Sequence, residues 1–541
     1  MNLRIKNFVK NFSYTLVSNL ISFLISTIIV LIIPKVIGVK EYGYWQLYVF
    51  YTSYVGFLHF GWNDGVYLRI GGKKYEELDK NLFFSQFIIL NIFQLIIGLL
   101  ICFISNILFD DINRIFIFQM VSLCMLIVNV RYMLLYILQS TNRIKEYAKS
   151  TMIDRIIYVC IIIIFFIIGL KDFKLMIFSD IIGKSISLIY TIYCCRDIVF
   201  NKISNFYFCF RDILENINVG IKLMFANIAS MLIIGVIRFG IERTWDVSTF
   251  GKVSLTLSIS NLMMLFINAL GLIMFPTLRR TNEKELPRIY STMRDFLMII
   301  LFGGIILYYP LRTILSSWLP KYSDSLVYMA IVFPMCIFEG KMSLLINTYL
   351  KTLRKEKLML KINLISLSLS LIITFINCFL LKNLNLAITS IVILLAFRCV
   401  LAEIFLSKTL LISVIKDICL DLILTLTFIL TGRFIKSWFA ICIYLASYFC
   451  YILFKYIDII YSLKYLIFLT RSRVSVEENS LISDNLSYKE YRRGRRFQTR
   501  KQNILYNSIY ILKYIKTKPF KLLSHKNHPR NKRFQTTRHN I

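Results

Sequence analysis

Long apolar stretches separated by short polar segments fill the first 463 residues of the chain. A helix that crosses a bilayer needs about 20 mostly apolar residues, and fourteen stretches approach or exceed this length. The fourteen predicted spans lie at 12–33, 44–62, 83–106, 115–138, 156–170, 174–194, 217–238, 253–275, 295–311, 326–350, 362–381, 384–407, 417–432 and 438–460. The pattern therefore predicts an all-α polytopic membrane protein.

The loops between these spans differ in basic charge. Segments on the same side as the N-terminus hold 27 Lys and Arg residues, against 13 on the opposite side. Because cytoplasmic loops carry the excess of basic residues, we predict that both ends of the chain are cytoplasmic. All five Trp residues fall at or beside predicted span ends, where an interfacial aromatic belt would place them. They are Trp45, Trp62, Trp245, Trp318 and Trp438.

The composition excludes an ordinary soluble enzyme. The chain is 57% apolar and 17% charged, whereas soluble domains are about half apolar and a quarter charged. Its net charge of +34 is not a nucleic-acid signal, because no soluble basic domain carries it. The tail 464–541 alone holds 19 Lys and Arg against four acids. We expect this tail to be largely disordered and to contact anionic lipids of the inner leaflet, with no nucleic acid as a partner.

The chain contains an internal repeat. With an offset of 208 residues, 11–62 matches 219–270 at nine positions, and the polar and small matches carry the most information. They are Asn19 with Asn227, Ser22 with Ser230, and Gly43 with Gly251. Two parallel six-span bundles follow, related by an axis along the membrane normal.

The repeat defines the predicted domain organisation. It divides the chain into a six-helix lobe at 1–215, a second six-helix lobe at 216–409, two additional helices at 410–463 and the basic tail. The twelve Cys residues form no CxxC pair, and three of the four His lie in the last 17 residues. No metal, cofactor or catalytic residue is therefore predicted.

Four basic residues lie well inside predicted spans, where an ionisable side chain is costly. Arg131 and Lys341 occupy corresponding spans of the two halves, as do Lys184 and Arg398. Corresponding positions converge on the space between two lobes, so we predict a cationic cavity that binds an anionic headgroup. One alternative stays open for Lys184, since Asp180 at i−4 could neutralise it. We interpret Lys455, near a span end, as snorkelling to the interface.

Polar residues at span ends and on the first span of each half are further candidates. Asn19 and Asn227 could contact sugar hydroxyls, or could join helices by hydrogen bonds. Asn63 and Asp64 could orient a substrate at the cytoplasmic entrance, or could form a turn with the following glycine.

The segment Asn11–Gly72 resembles the start of the bacterial polysaccharide flippases of the multidrug/oligosaccharidyl-lipid/polysaccharide exporter superfamily. The resemblance is carried by Pro34-Lys-Val-Ile-Gly-Val-Lys-Glu-Tyr-Gly43 and Gly61-Trp-Asn-Asp-Gly-Val-Tyr-Leu-Arg-Ile-Gly-Gly72. It implies translocation of undecaprenyl-pyrophosphate-linked oligosaccharide units from the inner to the outer leaflet of the bacterial plasma membrane by alternating access. Polysaccharide-assembly proteins are the further partners that we expect.

Two alternatives belong to other functions. A multidrug or lipid exporter of the same superfamily would more naturally use acidic residues inside the membrane. A polysaccharide polymerase or ligase would need a large external loop, whereas the longest predicted external connections are 239–252 and 312–325. We therefore expect a transporter and not an enzyme.

Overall fold

The computed structural model describes residues 3–279, 285–435, 438–462 and 464, and this part of the chain is helical without a strand. The first half contains α1 (Leu3–Val36), α2 (Val39–Thr52), α3 (Trp62–Ile70), α4 (Lys80–Leu108), α5 (Ile112–Ser140), α6 (Ile144–Ile168), α7 (Phe173–Cys194) and α8 (Arg196–Val199). The tail beyond residue 464 lies outside the described residues, so what the sequence predicts for it stays a prediction.

The second half begins with two long helices and then becomes more broken. It contains α9 (Phe210–Thr244), α10 (Val247–Arg279), α11 (Leu286–Gly304), α12 (Tyr308–Trp318), α13 (Ser323–Val332), α14 (Met335–Gly340), α15 (Asn347–Thr352), α16 (Glu356–Thr374), α17 (Leu384–Leu410), α18 (Ile415–Phe434) and α19 (Phe439–Phe454). A π-helical stretch, Lys341–Ile346, joins α14 to α15.

The predicted all-α membrane architecture is confirmed. Within the described residues, nine helical segments are long and apolar enough to cross a membrane, and eleven when two bent pairs each count as one span. The count of fourteen spans stays a prediction. Many large apolar side chains of these helices are exposed, which is typical of a surface that meets lipid.

The remaining three predicted spans, 44–62, 253–275 and 417–432, lie in helices that differ from an unbroken apolar span. The first is interrupted, because α2 ends at Thr52 after 14 residues and a short irregular segment leads to α3. The second lies in α10, whose side chains are described only as far as Met264. The third lies in α18, which carries two buried aspartates.

The same packing pattern occurs in both halves. In the first half α1 packs against α6, and α6 packs against α7. In the second half α9 packs against α16, and α16 packs against α17. These helices occupy corresponding positions in the two predicted six-helix lobes, so the two halves share this packing pattern.

The second helices of the two halves, α2 and α10, pack directly on each other at two matched glycines. A Cβ atom on Gly43 would lie 2.2 Å from the carbonyl oxygen of Val247. A Cβ atom on Gly251 would lie 2.8 Å from the Cα of Gly43. The two backbones therefore touch, and no side chain larger than hydrogen fits at either position.

We expect Gly43→Ala to destabilise the protein at this crossing, because added atoms in a packed interior lower the free energy of unfolding by about 1–3 kcal/mol. The measurement is the thermal unfolding midpoint of the purified protein in detergent. Gly38→Ala is the matched control, because the nearest atom to a Cβ there is the Glu41 Cγ at 3.9 Å. Equal midpoints for the two variants would contradict the close crossing.

Candidate functional site

A cavity of about 570 Å³ lies among α1, α2, α5, α6 and α7, and is bounded from the second half by Asn227, Met231 and Ser258. A contiguous chamber of about 440 Å³ continues it as far as Gln139 and Ile144, at the turn between α5 and α6. That turn is on the predicted cytoplasmic side. We call the two chambers together the central cavity, and it leads from between the halves towards the predicted cytoplasmic side.

Arg131 lines both chambers and is anchored by neighbouring helices. Its guanidinium donates hydrogen bonds to Asp154 Oδ2 at 2.8 Å and to Ser187 Oγ at 3.0 Å. Only 5% of the residue is exposed. The acid that α5 lacks is therefore supplied by α6, and Arg131 is a paired cation at the cavity wall.

Lys184 also lines the cavity and forms an ion pair with Asp180 on the same face of α7. The hydroxyl of Tyr48 donates a second hydrogen bond to Asp180 at 2.7 Å. The neutralising interaction that the i,i+4 spacing permits is therefore present. Lys184 nevertheless keeps a position on the cavity surface.

Arg155 is a third cavity cation, and it directly precedes the predicted span 156–170. In the structure α6 starts at Ile144, eleven residues before Arg155. Arg155 therefore lies within a continuous helix and lines both chambers. Asp154 and Asp180 are close enough to act on it electrostatically. Its guanidinium forms no ion pair with any carboxylate of the described residues, which makes Arg155 the cavity cation best able to accept an anion.

The charged lining of the cavity is balanced. Besides the three cations it includes three carboxylates, those of Asp64, Asp154 and Asp180. The central cavity therefore carries as many carboxylates as cations, whereas the sequence predicts a cationic cavity. Two cations are held by carboxylates, and one faces the cavity unpaired.

Aromatic side chains form a large part of the cavity wall. Trp45 stacks on Tyr158 with ring centroids 6.0 Å apart, and Tyr132 stacks on Tyr136 at 5.9 Å.

Trp45 and Trp62 are 4% and 3% exposed, so the prediction that they belong to an interfacial belt is wrong. Both are buried because α2 and α3 pack between other helices instead of facing lipid.

The four uncharged or acidic candidates have different surroundings. Asn19 lines the smaller chamber of about 440 Å³, whereas Asn227 and Asp64 line the larger one. Asn63 is fully buried and donates a hydrogen bond to the carbonyl of Asn129 at 2.9 Å, outside the cavity lining. Its observed contact joins α3 to α5.

Lys341 and Arg398 lie away from the central cavity. Lys341 is 2% exposed and its Nζ lies 2.6 Å from Glu403 and 2.9 Å from Asp421. Arg398 is bound by Glu339 at 2.9 Å and by Asn363 at 3.1 Å. In this conformation the four predicted cations do not share one chamber, and their role in substrate binding stays a prediction.

Lys455 does not snorkel, and that interpretation is wrong. Its ammonium group is completely buried and lies 2.6 Å from Asp295 and 3.0 Å from Asp417. Arg294 completes the group with a 2.6 Å contact to Asp417. These pairs join α11, α18 and the residue that follows α19, so they fasten the last two helices to the second half.

An ion pair connects the two halves on the side predicted to be external. Arg114, at the start of α5, pairs with Glu242, near the end of α9. Tyr51 of α2 donates a hydrogen bond to the same carboxylate at 3.3 Å, and Glu242 is almost fully buried. We call Arg114, Tyr51 and Glu242 the external clasp. Together with the crossing of α2 and α10, it joins the two halves on this side.

Solved structures share this fold. A structure described as the lipid II flippase MurJ in an inward closed conformation has a TM-score of 0.57 and 16% identity, with 81% of this chain and 100% of that chain covered. An inward-facing multidrug resistance MATE family transporter of the MOP superfamily has a TM-score of 0.56 and 12% identity, with 74% and 99% covered. No curated protein sequence matches the chain.

The chain thus has the fold that these two transporter structures share. The sequence profile of the polysaccharide biosynthesis protein family matches residues 8–281, just over half of the chain. The chain belongs to this family. The resemblance based on Asn11–Gly72 is confirmed.

Proposed function

We propose that the protein flips undecaprenyl-pyrophosphate-linked oligosaccharide units from the inner to the outer leaflet of a bacterial plasma membrane, with both chain ends in the cytoplasm. The single observation that carries this substrate class is Arg155, an unpaired guanidinium on the surface of a cavity between the halves. Membership of the polysaccharide biosynthesis family supports the sugar part of the proposal.

The diphosphate group binds at Arg155 in this proposal. A guanidinium presents its donors as a planar fork that matches two phosphate oxygens. Arg131 lies on the same wall and has a buried Nε without a hydrogen-bond partner among the described residues. A dianionic headgroup can therefore bind Arg155 first and then compete with Asp154 for Arg131.

The sugars contact the aromatic and amide lining. Flat aromatic faces pack against the apolar faces of sugar rings, and Trp45, Tyr132 and Tyr158 supply such faces. Gln46 and Asn227 add amide groups that both donate and accept hydrogen bonds. The buried hydroxyl of Tyr158 has no partner among the described residues, so it can also hydrogen bond to a sugar.

The direction of access supports uptake from the inner leaflet. The central cavity extends towards the predicted cytoplasmic side, while the external clasp joins the halves on the other side. Release to the outer leaflet then requires α5 and α9 to separate at Arg114 and Glu242. Closure on the external side would alternate with closure on the cytoplasmic side, as expected for a carrier built from two related halves.

We expect Arg155→Ala to lower surface polysaccharide more than tenfold in a strain that lacks the native gene, and to leave lipid-linked units on the inner leaflet. Removing one charged contact to a buried headgroup costs at least about 1.5 kcal/mol, and each 1.4 kcal/mol is about tenfold. Surface polysaccharide is measured together with the membrane level of each variant.

Arg211→Ala is the matched control, because the Arg211 side chain is 93% exposed and lies outside the cavity lining. Arg155→Lys keeps the charge and loses the fork, so we expect an intermediate phenotype. Normal surface polysaccharide in the Arg155→Ala strain, with normal membrane levels, would contradict the proposal.

A further inference from the structure

A second large pocket lies outside the central cavity, at the predicted cytoplasmic ends of α6 and α7. Its volume is about 530 Å³. Basic and aromatic residues dominate its lining, with two acids and one cysteine. The lining residues are Tyr75, Arg143, Lys145, Glu146, Lys149, Tyr190, Tyr193, Cys194, Arg196 and Asp197. We call it the interfacial pocket.

Both acids of the interfacial pocket are already engaged. Glu146 pairs with Arg143 at 3.5 Å. Asp197 pairs with Lys80 at 2.7 Å and accepts a hydrogen bond from Tyr75 at 2.6 Å. Although burial opposes it, the hydrogen bonds from Lys80 and Tyr75 hold the pKa of Asp197 below its usual value. Neither acid is available to neutralise another cation.

Three cations of the pocket are left without such a partner. Lys145, Lys149 and Arg196 form no ion pair with a carboxylate of the described residues, and all three are exposed. Arg196 lies over the ring of Tyr193 at 5.7 Å, which orients its guanidinium beside the pocket. The pocket therefore presents three uncompensated positive charges next to tyrosine rings.

The pocket lies at the ends of two helices that carry exposed apolar side chains. Along α7 the exposed apolar positions Ile182, Ile186 and Ile189 repeat every three or four residues and lead to Tyr193. On the neighbouring helix α6, Ile156 and Ile163 are exposed in the same way. The two helices pack tightly, since a Cβ on Gly183 would lie 2.7 Å from the carbonyl oxygen of Asp154. Exposed apolar faces of two adjoining helices thus end at a basic pocket.

We propose that the interfacial pocket binds the phosphate-bearing headgroup of an anionic membrane lipid, whose acyl chains lie along the exposed faces of α6 and α7. The free cations bind the phosphate, and the tyrosines occupy the depth at which lipid headgroups lie. The site is separate from the central cavity, and the proposal does not depend on the transported substrate.

The experiment measures lipid retained by the full-length protein after purification in detergent, by native mass spectrometry with added phosphatidylglycerol or phosphatidylcholine. We expect preferential binding of phosphatidylglycerol. In the variant Lys149→Ala/Arg196→Ala this binding should be roughly thirtyfold weaker, from the usual contribution of two interfacial basic residues. Neither residue forms an ion pair, so the fold should be preserved.

Lys357→Ala/Lys361→Ala is the matched control, because it removes two exposed unpaired lysines from the same predicted side, on α16. This control should bind phosphatidylglycerol as the unmodified protein does. Equal loss in both double variants would overturn the proposal, since it would indicate a general charge effect. The proposal would also be overturned if millimolar inorganic phosphate competed for the pocket as well as the lipid does. The exposed faces of α6 and α7 would then contribute nothing to lipid binding.

Discussion

Replacing Lys341 by Met should leave little folded protein. The substitution removes the only cation within hydrogen-bonding distance of Glu403 and Asp421 among the described residues, and both carboxylates are buried. Removing one partner from a buried ion pair typically costs about 3–5 kcal/mol, because the remaining charge stays buried and unpaired. Fluorescence-detected size-exclusion chromatography of the tagged protein, before and after heating, measures the loss.

A compensating triple variant tests whether the loss of folded protein comes from unpaired charge or from the changed shape of the side chain. In Lys341→Met/Glu403→Gln/Asp421→Asn the stranded charges are gone, while the amides can still accept hydrogen bonds from Tyr290 and Tyr451. We expect most of the stability to return. If Lys341→Met instead folds normally but no longer supports surface polysaccharide, the structural role assigned to this lysine is wrong and contact with substrate is favoured.

Reversing the charge of Arg114 should open the external side of the cavity. In Arg114→Glu two carboxylates would meet at the external clasp, and the link between α5 and α9 would be replaced by repulsion. Glu242 would keep Arg243 as a partner at 3.1 Å, so the fold should survive. We expect at least a tenfold loss of surface polysaccharide, since the proposed alternation requires the closed state on this side.

The opening can be observed directly. With Ser53→Cys on the cavity surface of an otherwise cysteine-free protein, a membrane-impermeant maleimide added outside should label the Arg114→Glu variant faster than its parent. The exchange variant Arg114→Glu/Glu242→Arg restores opposite charges, and we expect it to recover slow labelling. Fast labelling in the exchange variant would show that the ion pair does not hold the halves together.

The membrane architecture could be predicted from the sequence because it follows from a strong local signal. Runs of apolar residues locate most helices, and the repeat matches Gly43 with Gly251, which the structure brings into contact. Breaks within a predicted span were harder to predict. The chain around 44–62 is mostly apolar, yet α2 ends at Thr52.

The site could be predicted only in part. Arg131 and Lys184 line the central cavity, as the pattern of intramembrane charge predicts. Their partners in the repeat, Lys341 and Arg398, lie in buried ion pairs instead. The helix α18 lies outside the repeat and supplies Asp421 to Lys341, so the surroundings of this lysine differ from those of Arg131. A repeat therefore predicts equivalent backbone positions more reliably than equivalent surroundings.

Arg155 was missed because the apolar run of α6 starts at residue 156. A charged residue adjacent to an apolar run is normally assigned to a loop. The helical pattern begins well before it, however, and Asp154 precedes it within the same helix. A helix can thus extend beyond its apolar run, and a charged residue in that extension can line a cavity as one inside the run can.

The equal numbers of cations and carboxylates in the central cavity have an electrical consequence. An empty carrier whose site bears no net charge moves no charge when it turns from one face to the other, so the membrane voltage cannot drive or hinder that step. With the proposed diphosphate bound, the turn carries negative charge outward, which an inside-negative voltage favours by about 2.3 kcal/mol per charge per 100 mV. Voltage would then act on the occupied carrier alone and set the direction of net flow.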